Sequence, residues 1–216
     1  MSRAIMISIQ PKWVEKILNG EKTIEIRKTM PKCELPIDVY IYCTKDPKHL
    51  VAPFHFKQGW AYREYNDNTY YSRGCTANVG EDINGKVIAK FTLKDIDEFY
   101  VFNDGLIQYW IACDLEKGCV PYDDLANYIG RGKKGYSWHI DNLEIFDKPK
   151  ELKDFYKVGF NEDLNKFNEH YKWRVRNYPE DYAMELQNSY DEDINTLRQT
   201  WIIKKAPQSW QFVEVE

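Results

Sequence analysis

The 216 residues carry 30 Lys and Arg against 34 Asp and Glu, a formal net charge of −4 at pH 7. That sum excludes a chain-wide positive field for nucleic acid or anionic lipid, so a polyanion site must be a local patch. The length is sufficient to bury a core without metal or disulfide staples, and the 7 Trp, 16 Tyr and 10 Phe, 15% of the chain, are an aromatic surplus that needs explaining.

Residues 4–9 (AIMISI) read as a strand, and Pro11 suits the first turn of a helix whose apolar face is Trp13, Val14, Ile17 and Leu18. Asn19 and Gly20 end that helix as a cap pair. Alternation over Thr23–Lys28 predicts a half-buried strand, with Ile24 and Ile26 on one side and Thr23, Glu25 and Arg27 on the other. VYIYC at Val39–Cys43 is the next strand, after a link punctuated by Pro31 and Pro36. Residues 44–84 hold His49, His55, Trp60 and the Tyr70-Tyr71 pair with little periodicity, which reads as one long excursion of the functional or mobile kind. Asn84-Gly85 then turns into the strand KVIAKFTL at Lys86–Leu93.

Short helices are expected over Asp104–Cys113 and Pro121–Ile129, followed by a basic glycine loop, GRGKKG, at Gly130–Gly135. YSWHI at Tyr136–Ile140 and Leu143–Phe146 extend the strand pattern, and a short helix follows Pro149. From about Phe160 to Lys205 helix formers and charge dominate, with Leu164, Phe167, Tyr171 and Val175 at helical spacing. Trp210, Phe212, Val213 and Val215 close the chain as a last strand. The charge is polarised: residues 1–33 hold 7 bases and 3 acids, whereas residues 151–198 hold 11 acids and 7 bases. Short strands at both ends with helices between them suggest an α+β fold built on a small mixed β-barrel, its last strand returning to the first. Residues 156–205 are then a helical insertion, and residues 1–155 with 206–216 form the barrel.

Three constellations carry polar chemistry. In Gly20–Lys28 (GEKTIEIRK), strand alternation places Glu25 and Arg27 on one face about 7 Å apart along the strand. A carboxylate beside a guanidinium orients it toward a phosphate or base edge; the alternative is an ordinary ion pair on a solvated face. In the second, Arg131, Lys133 and Lys134 can meet phosphates while Tyr136 or Trp138 offers a stacking surface. The alternatives are a solvated loop and a core role for Tyr136, Trp138 and Ile140 that leaves Ser137 and His139 outside, with core packing the better reading of Trp138. The third is PQSW, where Gln208 and Ser209 are suited to reading base edges.

The chain has no phosphate-binding P-loop, dinucleotide turn, H-E-x-x-H helix or G-x-S-x-G elbow. Cys33, Cys43, Cys75, Cys113 and Cys119 form no C-x-x-C pair, which argues against a disulfide framework and a zinc knuckle and for a reducing compartment. No metal or cofactor is expected. The apolar run Ile5–Ile7 is far shorter than a signal core or a membrane span of about 20 residues, so a soluble cytoplasmic protein is expected.

Ser8–Lys28, Val39–Thr44, Gly85–Leu93, Gly135–Leu152 and Ala206–Trp210 together resemble the ASCH domain, most closely its phage and Firmicute form. The motif G-x-K-x-x-E-x-R is matched by Gly20, Lys22, Glu25 and Arg27, with SWHI and PQSW in support. The resemblance implies a PUA-like β-barrel and binding of nucleic acid, chiefly RNA, or of a modified nucleotide. It places Lys22, Glu25 and Arg27 in a cleft on the barrel side. With the basic residues added, that cleft has Lys12, Lys22, Arg27 and Lys28 on one rim and Arg131, Lys133 and Lys134 on the other. Trp138, His139, Gln208 and Ser209 complete the expected binding set. One branch of the family is an amidohydrolase on acetylated cytidine, and ribonuclease activity is attributed to other members, which makes Lys22 and Glu25 the catalytic pair if the protein is an enzyme. Lys22 matches that branch's lysine, but Glu25 stands where the branch has a threonine hydroxyl, which a carboxylate does not replace as a nucleophile. A third reading is a phage interaction protein that binds a protein partner through its helical insertion.

Overall fold

The computed structural model describes residues 2–46, 49–54, 59–66, 69–70, 83–107, 116–178 and 182–215. Strand β1 (Ser2–Ile9) leads into helix α1 (Pro11–Leu18), whose Pro11, Val14, Ile17 and Leu18 are buried. Proline starts this helix without losing a needed N–H, and full burial of Val14 and Ile17 stabilises the docking by about 1.5–3 kcal/mol each. Strands β2 (Ile24–Arg27) and β3 (Ile37–Cys43) follow, then β4 (His49–Phe54), β5 (Gly59–Asn66) and β6 (Thr69–Tyr70). Next are β7 (Val87–Leu93), β8 (Ile96–Val101), helix α2 (Tyr122–Ile129), β9 (Lys133–His139) and β10 (Asp141–Lys150). A 3₁₀ turn at Leu152–Asp154 precedes the long helices α3 (Phe160–Asn177) and α4 (Ala183–Trp201), and β11 (Trp210–Val215) ends the fold.

The central sheet has the order β10-β7-β3-β1-β11, with β1 parallel to β3 and antiparallel to β11. The terminal strand therefore returns to the first, as the sequence pattern implies. A second sheet has the order β2-β9-β8, and β4-β5-β6 form a third beside α1. Among the described residues the three sheets remain separate and no closed barrel forms, which corrects the expected closure. The fold is mixed α+β with the helices outside the sheets.

The main core lies on one face of the central sheet, where Ile5, Ile7, Val39, Ile41 and Phe91 meet α1 and Trp138. Ile24 and Ile26 point the other way and pack with Phe99, Val101, Leu125 and Ile129 beneath α2. The second sheet is thus covered on both faces, so all four residues of β2 are buried rather than every second one. For the same reason Ser137, paired with Ile26 under α2, is fully buried instead of facing solvent. Gly135 lies opposite Phe99 in this sheet. A Cβ there would stand 2.3 Å from the Phe99 ring, which accounts for a glycine inside a strand.

Several expectations change. The 44–84 excursion contains β4, β5 and β6, and its His55 and Tyr71 lie outside the described residues, as do Cys75 and Cys113. Residues 104–107 make a turn and a bridge from Ile107 to Val101 rather than the start of a helix, and 108–115 are outside the described residues. Only Gly130–Gly132 of the basic loop is turn, because Lys133 and Lys134 already pair with Val101 and Tyr100 in β9.

The helices α3 and α4 leave and rejoin the sheet at neighbouring points. Tyr156 bridges both Ile202 and Glu214, and the Ile203 N–H donates to the Phe155 carbonyl at 2.9 Å. Glu214 of β11 is buried, and its carboxylate accepts from the N–H groups of Gly159 (3.0 Å) and Asn161 (2.7 Å). It thereby satisfies donors that the first turn of α3 leaves open. No described helix is long and apolar enough to cross a membrane.

Candidate functional site

The site begins where α1 ends. Gly20 adopts φ +74°, a conformation open to glycine at little cost, and reverses the chain into β2. Lys22 then points inward and is 2% exposed. Its ammonium donates to the carbonyls of Ile24 and Gly118, both at 2.7 Å, and lies 3.2 Å from Glu25 Oε2. An ammonium has three donors, and all three are engaged.

Glu25 accepts Arg27 Nη2 on its other oxygen, Oε1, at 2.9 Å. Arg27 Nη2 also donates to the Ser8 carbonyl (2.7 Å), and Nη1 reaches Ser209 Oγ (3.3 Å). The guanidinium thereby ties β2 to the end of β1 and the lead-in to β11, a junction closed by Ser8 N–H donating to the Ser209 carbonyl at 2.9 Å. The sequence left open whether Glu25 and Arg27 form a surface pair. With Glu25 at 7% and Arg27 at 6% exposure they are buried, and with Lys22 they make a cluster of two cations around one carboxylate. Each Glu25 oxygen still has lone-pair capacity beyond its ion pair.

A cavity of about 580 Å³ opens over this cluster. Lys22, Glu25 and Arg27 form part of its lining with Ser8, Gln10 and Thr44 from the ends of β1 and β3. Trp13 and Lys12 of α1, Asp124 and Tyr128 of α2, and Gln208 complete the polar and aromatic wall. Lys12 Nζ stands 4.6 Å from the Trp13 ring centroid and Lys28 Nζ 4.8 Å from that of Tyr128, so cations sit on both aromatic faces. Burial pushes the Tyr128 phenol above its ordinary pKa; Arg27 opposes that shift and Glu25 reinforces it. Tyr128 is therefore a neutral hydroxyl at physiological pH.

The structure brings together Lys12, Lys22, Glu25, Arg27, Gln208 and, through its bond to Arg27, Ser209, with Lys28 against Tyr128. It places the other expected residues elsewhere. Trp138 is fully buried in the main core, 5.8 Å from the Trp210 ring centroid. His139 pairs with Asp97 Oδ2 at 2.6 Å and Lys134 with Glu98 at 2.6 Å; strand alternation puts these two pairs on opposite faces of the β8–β9 pair, and none of the four residues lines the cavity. Arg131 and Lys133 are exposed and do not line the cavity. Sequence reasoning missed Ser8, Gln10, Thr44, Asp124 and Tyr128 as lining residues. Leu125, Ala126 and Ile129 give α2 its apolar stripe, and Tyr128 beside that stripe was the available signal. Among the described residues no three His, Cys, Asp or Glu side chains cluster as a metal site.

The ASCH domain family model matches residues 7–149, which contain the whole buried cluster. The chain belongs to the ASCH domain family. Among solved structures, the ASCH protein of Zymomonas mobilis is similar at 14% identity, with 98% of this chain and 87% of that one covered and a TM-score of 0.47. A tyrosine-to-phenylalanine variant of that protein gives 13% identity, coverage of 98% and 90%, and a TM-score of 0.48. No curated protein matches the chain. The ASCH match ends at residue 149, so α3 and α4 lie beyond it while the G-x-K-x-x-E-x-R cluster lies within it.

Proposed function

We propose that the cavity binds one nucleotide unit of single-stranded RNA, or a free modified nucleotide, and that the protein acts as a nucleic-acid-binding module. The observation that carries this reading is the buried Lys22–Glu25–Arg27 cluster, one positive charge in excess, beneath a cavity of about 580 Å³. That size falls in the range of roughly 300–1,000 Å³ typical of small-molecule sites, which suits a single nucleotide and not a duplex. Excess buried charge favours an anionic ligand, and the open lone pairs of Glu25 suit the N–H edge of a base. Trp13 and Tyr128 line the cavity, and a base stacks on either ring by displacing the Lys12 or Lys28 ammonium that stands over it. The polar amides of Gln10 and Gln208 add donors and acceptors that can discriminate one base edge from another.

Lys22 has no donor to spare, which supports a role in holding Glu25 and Arg27 and sets binding ahead of hydrolysis. We further propose that the sheets represent a PUA-like arrangement widened by insertions and that the protein works in the cytoplasm. The test is titration of the full chain with nucleoside monophosphates and with a labelled single-stranded RNA over a salt series. Affinity is expected to fall with salt, with a log–log slope of about −0.7 for each phosphate contacted. Salt-independent affinity, or no binding to either ligand, overturns the reading. Turnover of acetylated cytidine that disappears in Lys22→Ala, with the fold retained, would place hydrolysis first.

A further inference from the structure

A second opening lies beside the first, a groove of about 350 Å³ edged by Lys45, Lys153 and Lys204. All three lysines are exposed, and none has an ion-pair partner among the described residues. The acid in the groove is Glu151, whose carboxylate is held by the Asp154 N–H in the reciprocal cap of the 3₁₀ turn. The groove therefore carries three cations against one carboxylate in a chain whose net charge is −4.

Its floor includes Tyr42, on the face of the central sheet shared with Ala4, Met6 and Tyr40. The nucleotide cavity includes Ile9, on the opposite face with Ile5, Ile7 and Ile41. Two chain segments join the openings around the end of the sheet. Thr44 lines the cavity and the next residue, Lys45, lines the groove. Lys204 lines the groove and Gln208 the cavity, with the exposed Lys205 between them in sequence. Consecutive Cα atoms are about 3.8 Å apart, so the first segment sets the two openings side by side. The second lays a further cation along the path.

We propose that this groove takes the phosphodiester backbone of an RNA strand whose adjacent nucleotide occupies the cavity, an inference that rests on the binding reading above. Lysines act as point charges for phosphate, suited to a chain held without regard to sequence. The cavity selects the base, and the groove sets how tightly a strand is held relative to a single nucleotide.

The test compares the full-length protein with the triple variant Lys45→Ala, Lys153→Ala, Lys204→Ala. The probes are a fluorescein-labelled single-stranded RNA of mixed sequence and unlabelled nucleoside monophosphates. The native chain should hold the RNA at least about tenfold more tightly than the mononucleotide, and the triple variant should lose that advantage while its mononucleotide affinity stays unchanged. The log–log salt slope for RNA should shrink by about 2 in the triple variant, three contacts at about 0.7 each. The corresponding triple Lys→Arg variant should retain RNA affinity. Mononucleotide binding with no gain for RNA, or a triple variant with native RNA affinity and slope, overturns the groove and leaves the cavity reading intact. RNA binding that depends on the three lysines without any mononucleotide binding overturns the cavity reading and leaves the groove. Absence of both overturns both.

Discussion

Two segments of this chain place Lys, Arg and Gly close together, and the fold treats them in opposite ways. In Gly20–Lys28 the charged side chains at Lys22, Glu25 and Arg27 are drawn beneath a cavity as two cations paired to one carboxylate, with Arg27 Nε alone lacking a partner in the cluster. In Gly130–Gly135 the bases stand in solvent, Lys134 against Glu98 and Arg131 beside Gly105, while the glycine that ends the segment meets the core. The difference comes from what covers each strand. β2 is held beneath the loop at 117–118, whose Lys117 carbonyl accepts the Thr23 N–H and whose Gly118 carbonyl accepts Lys22. The first residues of β9 run along the exposed rim of the second sheet. Burial, more than composition, decides which basic segment gains a fixed geometry, and a fixed geometry is what a binding site needs.

The contrast is broken most severely at Glu25. Glu25→Gln leaves Lys22 and Arg27 buried without their counter-charge, and removing one partner of a buried pair costs about 3–5 kcal/mol. The variant should show that loss in denaturant midpoint, together with loss of any ligand affinity measured in the cavity. A midpoint within error of the native protein would mean that solvent reaches the cluster in solution. Gly135→Ala comes next. The added methyl would stand 2.3 Å from Phe99 Cζ, and the ring is fully buried. Overpacking of this kind costs about 1–3 kcal/mol, readable as a lower unfolding midpoint with ligand affinity retained. The additional replacement Phe99→Leu should recover part of that loss, because it removes the clashing ring atoms.

Much of this was legible from the residues. The terminal strand pairing, α1 with its proline start, the Lys22–Glu25–Arg27 constellation and the core role of Trp138 all follow local patterns. Long-range packing was not legible. The period of 2 in β2 correctly separated Ile24 and Ile26 from Glu25 and Arg27, yet it implied a wet face because nothing local announces that α2 covers one side and the central sheet approaches the other. Sheet separation was missed for the same reason, since closure depends on which strands pair and not on how many there are. Tyr128 and Gln10 were overlooked as lining residues because each is an ordinary residue at a helix end, and only the tertiary placement of α1 and α2 brings them to the wall of one cavity.

The smallest expected effect concerns the exposed segment itself. The triple replacement Arg131→Ala, Lys133→Ala, Lys134→Ala removes three positive charges from a rim where Lys134 pairs with Glu98, each about half exposed. Exposed pairs contribute little because water and salt screen them and two long side chains must be ordered to form them. The unfolding midpoint should therefore stay at the native value, and mononucleotide affinity should be unchanged because none of the three lines the cavity. The useful contrast is with RNA. Arg131 and its neighbours lie on the β8–β9 rim, whereas Lys45 and Lys204 flank the end of the central sheet, so one strand running from the cavity into the groove leaves the rim unoccupied. RNA affinity in this triple variant should match the native chain at about 0.15 M salt, where charges beyond about 8 Å are screened. A loss of RNA affinity with mononucleotide affinity intact would instead route the strand over the rim, and the exposed bases would then take the phosphate-holding role of the groove lysines.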